Sequence, residues 1–326
     1  MPKKETERRV YITDDVHPLL IEGLKELGYR IDYAPKVPLS TVRKKIKDYD
    51  GIIINSKVLM DRSMLDDAVK LKFIGRLGSG LEIIDLAYAK KRGVKVFRAP
   101  AGNSNAVGEH ALGMLLALAN NLIKSNLEVK SMIWDREGNR GFELKGKTIG
   151  IIGFGHTGSQ FARKLKGFQT KILIYDKYRQ RLPDEFRFVV RVKNLDTLLS
   201  KADVVSFHLP LTDETVGFFD KKKLETCKDG VILLNTSRGA VIPTSVLVEG
   251  LETKKIGGAC LDVFENEKPK TYSEKELKMY KKLLSMPNVI VSPHVAGWTF
   301  ESKKKLSEIL LRQIRKIPIG RKKLLK

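Results

Sequence analysis

Thr148-Ile149-Gly150-Ile151-Ile152 runs straight into Gly153-Phe154-Gly155-His156-Thr157-Gly158, and Gln160-Phe161-Ala162-Arg163-Lys164-Leu165 follows. The first piece is an apolar strand, the second reads G-x-G-x-x-G, and the third has helical spacing. In that setting each glycine has its own job. Gly153 permits a tight turn, Gly155 lets backbone N–H groups approach a pyrophosphate, and Gly158 lets the helix pack close to the strand. The helix N-terminus then faces the anion. Without the strand before it and the helix after it, the pattern would mark only a Gly-rich turn. Asp176 ends the next strand, Ile172-Leu173-Ile174-Tyr175, 18 residues after Gly158. A carboxylate there accepts from both ribose hydroxyls and repels a 2′-phosphate, which favours NAD over NADP. Lys177 and Arg179, just beyond it, weaken that exclusion.

Working outward, apolar runs alternate with helical patterns in both directions. Downstream lie Val204-Val205-Ser206-Phe207, Val231-Ile232-Leu233-Leu234, Ala259-Cys260-Leu261 and Val289-Ile290-Val291. With the two strands above, these six runs predict a doubly wound parallel sheet. Upstream, Arg9 to Thr13, Gly51 to Asn55, Leu71 to Gly75 and Val94 to Phe97 read as strands. Helices are expected over His17 to Leu27, stopped by Gly28, and over Ile83 to Lys91, stopped by Gly93. The chain is therefore α/β throughout. A long apolar helix, from Asn103 to Leu122, needs burial on more than one side. Glu265 to Glu276, charged and Pro-containing, reads as a surface loop.

Composition sets the outer limits. The 326 residues are 42% hydrophobic and 30% charged, a globular mix that suggests about two domains. The apolar stretch Ala111 to Ala119 is too short to span a bilayer, and Met1-Pro2-Lys3-Lys4-Glu5 lacks the apolar core of a secretory signal. Two cysteines, Cys227 and Cys260, exclude a disulfide scaffold or a cysteine zinc site and suit reduced thiols in the cytoplasm. The charge stands out: 61 Lys+Arg against 38 Asp+Glu gives +23. Such a charge fits nucleic acid, an acidic membrane surface or anionic small molecules. Ten Lys/Arg fall between Lys303 and Lys326. Leu306, Ile309, Leu310 and Ile314 recur there at helical spacing, so an amphipathic helix with a cationic face accounts for most of them. Arg321 to Lys326 is expected to fray. No RNA-binding or helix-turn-helix signature accompanies the charge, and neither specific nucleic acid nor a membrane is expected as partner.

Chemistry-bearing residues follow three later strands, where open α/β sheets bind their ligands. Asn235-Thr236-Ser237-Arg238-Gly239 places an arginine at a strand end, where it can grip a carboxylate through two parallel hydrogen bonds. Asp262-Val263-Phe264-Glu265-Asn266-Glu267 and Pro293-His294-Val295-Ala296-Gly297 follow. A histidine beside a carboxylate is held in one tautomer. It can protonate a carbonyl oxygen as hydride reaches the carbon, or do the reverse. His17, His110, His156 and His208 lack such a strand-end setting with an acidic partner in reach, and His17 is expected on a solvent-facing helix position.

Taken together with His208-Leu209-Pro210-Leu211-Thr212, these motifs resemble the D-2-hydroxyacid dehydrogenase family, near its phosphoglycerate dehydrogenase branch, from about residue 9 to 310. The resemblance implies Arg238, Glu267 and His294 as the catalytic set, with histidine as acid/base, Glu267 as its partner and Arg238 on the substrate. Cofactor contacts carry over to Gly153, Gly155, His156, Thr157, Gly158, Asp176, His208, Pro210, Thr236, Ser237, Asp262 and Gly297. Asp262 would bind the nicotinamide carboxamide. The implied plan is a flavodoxin-like substrate domain, 1–98, completed by 294–326, with a Rossmann NAD-binding domain over 99–293. Domain closure would assemble the site and exclude water. A homodimer through the nucleotide domain, and a form without a C-terminal regulatory domain, are also implied.

For the substrate the resemblance offers Gly78-Ser79-Gly80, with Ser79 and Gly80 binding a carboxylate through backbone N–H groups, and Asn55-Ser56-Lys57. Asn55 stands where phosphoglycerate-type relatives have arginine, and Lys57 reaches a phosphate only as a point charge. Glu82-Ile83 replaces the usual Asp-Asn, and Lys268 separates Glu267 from Pro269. The first substrate pair is 3-phosphoglycerate and phosphohydroxypyruvate. Hydroxypyruvate or glyoxylate reduction, and an NAD-responsive regulator of the corepressor kind, are the alternatives.

Overall fold

A computed structural model of the chain describes residues 7–317, so the tail expected to fray lies outside them. In chain order the elements are β1 (Arg9–Ile12), α1 (Pro18–Glu26), β2 (Arg30–Tyr33), α2 (Leu39–Lys45), β3 (Gly51–Ile54), α3 (Arg62–Asp67), β4 (Phe73–Arg76), α4 (Leu86–Lys91) and β5 (Lys95–Arg98). There follow α5 (Ser104–Ala119), α6 (Leu122–Lys130), β6 (Thr148–Ile152), α7 (His156–Leu165), β7 (Lys171–Tyr175), β8 (Val190–Arg191), α8 (Leu195–Leu199) and β9 (Val204–Phe207). The last are α9 (Lys221–Thr226), β10 (Val231–Asn235), α10 (Thr244–Glu252), β11 (Ile256–Leu261), α11 (Glu274–Ser285), β12 (Val289–Val291) and α12 (Phe300–Ile314). They form two compact units. One is the chain up to Asn103 and from Trp298 onward, and the other is Ser104–Gly297.

The first unit is a parallel sheet in the order β2-β1-β3-β4-β5, the flavodoxin-like arrangement. Its central strand β3 is buried on both faces. Ile52 and Ile54 join one core cluster with Val42, Ile46 and Leu65, while Ile53 joins the other with Leu20, Leu24, Leu310 and Ile314. That is the two-residue alternation of a strand between two helical layers. The apolar stripe of α12 completes the second layer, as its helical spacing predicts.

The second unit is a seven-stranded parallel sheet in the order β12-β11-β10-β9-β6-β7-β8. The direction of succession reverses between β6 and β9, which makes that the switch point of a Rossmann sheet. Six strands coincide with the six apolar runs. The seventh, β8, is two residues long and pairs Val190 with Leu173 at the sheet edge. β2 was likewise absent from the sequence reading. Edge strands bury little, so Arg-Ile-Asp-Tyr and Val-Arg carry no continuous apolar run.

Other boundaries also moved. His17 is the N-cap of α1, its Nδ1 accepting from Leu19 N at 3.3 Å, rather than a residue on the helix face. α4 starts only at Leu86, where Asp85 caps it through Tyr88 N. The expected loop Glu265–Glu276 already contains the start of α11, where Ser273 and Glu276 cap each other's backbone N–H groups. Such a cap is worth about 1 kcal/mol. The sequence border before His294 differs from the unit boundary at Gly297. Residues 294–296 hydrogen-bond to Asp262 through His294 N, Val295 N and Ala296 N, which holds them in the second unit.

Candidate active site

The second unit places its motif residues at the C-terminal ends of parallel strands. Gly153 follows β6 with φ +88°, a conformation that favours glycine. Gly155 is the N-cap of α7, and no side chain caps it, so the first N–H groups of that helix stay open to an anion. Asp176 follows β7. Its Oδ2 accepts from Phe154 N at 2.7 Å, and its Oδ1 accepts from Tyr178 N and Arg179 N at 2.9 and 2.8 Å. Burial works to raise the Asp176 pKa, but these N–H bonds and the Arg179 charge outweigh it and hold the carboxyl below its usual value. Asp176 therefore pins the turn and keeps its negative charge.

Two buried polar atoms on neighbouring strand ends meet no hydrogen-bond partner among the described residues: His208 Nδ1 after β9 and Thr236 Oγ1 after β10. The other ring nitrogen of His208 meets Ser206 Oγ at 2.8 Å. Burial pushes the His208 pKa down to about 3, so this imidazole is neutral. An open helix N-terminus, an ionised Asp176 and two orphaned polar atoms around one switch point suit a dinucleotide. His156 and Pro210 are exposed at the same ends of the strands, Thr157 and Gly297 are half-buried, and Ser237 is buried with its N and Oγ both donating to Asn235 Oδ1.

Arg238, Glu267 and His294 come together from three strand ends. Gly239 packs so closely on the backbone of Phe264 and Glu265 that a Cβ there would overlap it, and this brings Arg238 beside the loop that ends in Glu267. His294 Nδ1 lies 2.9 Å from Glu267 Oε2. Burial raises the Glu267 pKa, but the bond to His294, its charge, a long bond from Phe264 N and the charge of Arg238 together hold it below the usual value. Asp262 is fully buried, and its carboxylate accepts from Ser292 Oγ, Val295 N and Ala296 N. The sequence reading left His110 without an acidic partner. In the fold its Nε2 is 2.9 Å from Ser292 Oγ and 3.7 Å from Asp262 Oδ1, because α5 delivers it from 182 residues upstream.

In the first unit, Ser79 and Gly80 are half-buried after β4. Lys57 Nζ donates to Pro35 O at 2.6 Å and stands 3.9 Å from Asp14. The sequence reading passed over Arg76, the last residue of β4, whose guanidinium donates to Asn55 Oδ1 at 3.0 Å. The signal was the one used for Arg238, an arginine at the end of an apolar strand.

Residues 112–296 match the family model described as D-isomer specific 2-hydroxyacid dehydrogenase, NAD binding domain. The chain belongs to the D-2-hydroxyacid dehydrogenases. It is 33% identical over 311 residues to a hydroxypyruvate reductase of Thermotoga maritima, covering 94% of this chain and 97% of that one. It is 31% identical over 306 residues to a D-3-phosphoglycerate dehydrogenase of Archaeoglobus fulgidus, covering 94% of this chain but only 56% of that protein. The chain thus spans little more than half of that relative. Among solved structures it resembles a D-lactate dehydrogenase from Aquifex aeolicus complexed with NAD and lactic acid, at TM-score 0.80 and 29% identity over 94% of each chain. The family's NAD-binding domain makes NAD the cofactor.

Proposed function

We propose that the chain transfers hydride between NAD(H) and a small D-2-hydroxy acid, with 3-phosphoglycerate and phosphohydroxypyruvate as its first substrate pair. The observation that carries this is the 2.9 Å contact of His294 Nδ1 with an ionised Glu267, beside Arg238. Glu267 accepts a hydrogen bond from Nδ1–H and leaves Nε2 for the substrate oxygen. In reduction, protonated His294 donates from Nε2 to the carbonyl oxygen, and in oxidation the neutral ring takes the hydroxyl proton. Arg238 holds the substrate's carboxylate as a fork. Bound NADH supplies the hydride, so a 2-oxo acid, NADH and one proton give a 2-hydroxy acid and NAD+. Gly153, Gly155, His156, Thr157 and Gly158 hold the pyrophosphate, and Asp176 the adenosine ribose. His208, Pro210, Thr236, Ser237, Asp262 and Gly297 line the rest of the dinucleotide's path. Ser79 and Gly80 offer backbone N–H groups to the substrate carboxylate, while Lys57 and Arg76 supply charge for a distal phosphate. Phosphoglycerate dehydrogenases among its relatives, two of them 31% and 34% identical, support that first substrate.

The test is consumption of NADH with phosphohydroxypyruvate, hydroxypyruvate, glyoxylate and pyruvate in turn. Phosphohydroxypyruvate should give the highest kcat/KM. A preference for hydroxypyruvate or glyoxylate would move the substrate, and loss of NADH absorbance with none of the four would end the enzymatic reading.

A further inference from the structure

We infer that Ser292 and His110 are positioning residues for His294, acting through the buried carboxylate of Asp262. The inference rests on the reading of His294 as the acid/base. His294 has φ +56°, a left-handed backbone that non-glycine residues seldom adopt. Asp262 holds it there. The Asp262 carbonyl accepts from His294 N at 2.8 Å, while its carboxylate accepts from Val295 N and Ala296 N, each at 2.9 Å. Three successive N–H groups thus wrap one residue, and the direction in which the imidazole leaves the turn follows from the orientation of that residue.

What orients Asp262 is Ser292. Its single hydroxyl proton goes to Asp262 Oδ1 at 2.6 Å, a short charge-assisted bond. A hydroxyl that donates there has lone pairs left, and His110 Nε2, at 2.9 Å, supplies the N–H to one of them. His110 therefore carries its proton on Nε2. The chain His110 to Ser292 to Asp262 runs from the middle of α5 to the strand-end turn, and each member has one available role in it. α5 is anchored by Ala111, Met114, Leu115 and Leu118 in the core, so it is a rigid support rather than a second mobile loop. A hydroxyl lost at 292 leaves a buried carboxylate oxygen short of one donor, and the turn relaxes toward an ordinary backbone conformation.

The experiment compares Ser292→Ala and His110→Leu, which break the chain, with Ser292→Thr and His110→Gln, which keep a hydroxyl and an N–H donor. Readouts are kcat and KM across pH, NADH affinity by fluorescence titration, melting temperature, and the imidazole 1H–15N spectrum of His294. Ser292→Ala and His110→Leu should lower kcat, by about 10²-fold for the first, as expected for misplacement by roughly 1 Å. They should shift the pH profile and lose the hydrogen-bonded His294 Nδ1–H resonance, with NADH affinity held and melting temperature lowered only by the few degrees that one missing donor to a buried carboxylate costs. Ser292→Thr and His110→Gln should restore all three. Unchanged kcat and resonance in both disruptive variants would overturn the inference. So would a loss that tracks melting temperature and NADH affinity and that the conservative variants do not rescue. The spectrum is read without turnover, so a protein inactive on every 2-oxo acid still tests the positioning role while its inactivity counts against the functional reading.

Discussion

His294 is held by its neighbours in a backbone region that costs a non-glycine residue of order 1 kcal/mol, and its ring meets Glu267 on the way out. Removing the ring removes the proposed acid and leaves the dinucleotide turn untouched. His294→Ala should therefore cut kcat by roughly 10²–10⁴-fold, with NADH affinity near the parent's by fluorescence titration. Equal loss of both would point to misfolding. His208 makes a different prediction. Its pKa falls from 6.5 to about 3 on burial, so the folded ring stays neutral where the unfolded ring takes a proton. The unfolded state then binds more protons between those values. Stability is complete above about pH 6.5 and falls as the pH drops toward 3, by about 1.4 kcal/mol per unit from this group. Urea unfolding at pH 7 and pH 5 should show a shallower pH dependence in His208→Gln than in the parent. Sequence alone saw His208 only as part of a motif, since burial is what neutralises it.

At the scale of elements, α6 and the segment after it are the conspicuous feature of the second unit. Leu122, Ile123 and Leu127 are each more than half exposed, and beyond the helix Met132 and Trp134 are 91% and 78% exposed. An exposed apolar surface of this kind marks an interaction site. It suits the homodimer through the nucleotide domain that the family resemblance implies. Light scattering should give a dimer for the parent chain, and Leu127→Asp with Trp134→Glu should give a monomer that still binds NADH. A dimer that persists in the double variant would place the interface elsewhere. The central strands and the long helix α5 were legible in sequence because burial on both faces forces unbroken apolar runs. β2 and β8 were not legible, because Arg-Ile-Asp-Tyr and Val-Arg carry no apolar run, unlike the edge strands β5 and β12. The Glu267 loop was partly legible. Its charge and proline marked it as surface, while the Ser273–Glu276 cap that starts α11 within it was not read.

On the whole molecule, the charge of +23 accompanies a proposed reaction whose cofactor and substrate are both anions. A positive surface potential speeds their capture and leaves the chemical step alone. Raising ionic strength should lower kcat/KM while kcat holds, measured from NADH consumption at saturating and limiting 2-oxo acid. A flat response would make the lysines compositional. Many of them already face a carboxylate. Lys177 with Glu214, Lys228 with Asp203 and Lys255 with Asp229 are exposed or partly exposed pairs. Solvent screens such pairs, so they add little to stability.

The sequence by itself determined the class of both sheets and the dinucleotide turn, while the family resemblance supplied Arg238, Glu267 and His294 as the proposed catalytic set. These depend on local pattern: strand period, glycine spacing, and the residue that follows each strand. Only the tertiary structure decided that His110 reaches Ser292, that Arg76 meets Asn55, that His294 lies in the left-handed region, and that Asp262 turns its carboxylate onto the residues after it. Those are contacts between segments far apart in the chain, and a sequence pattern carries no distance until the core has closed.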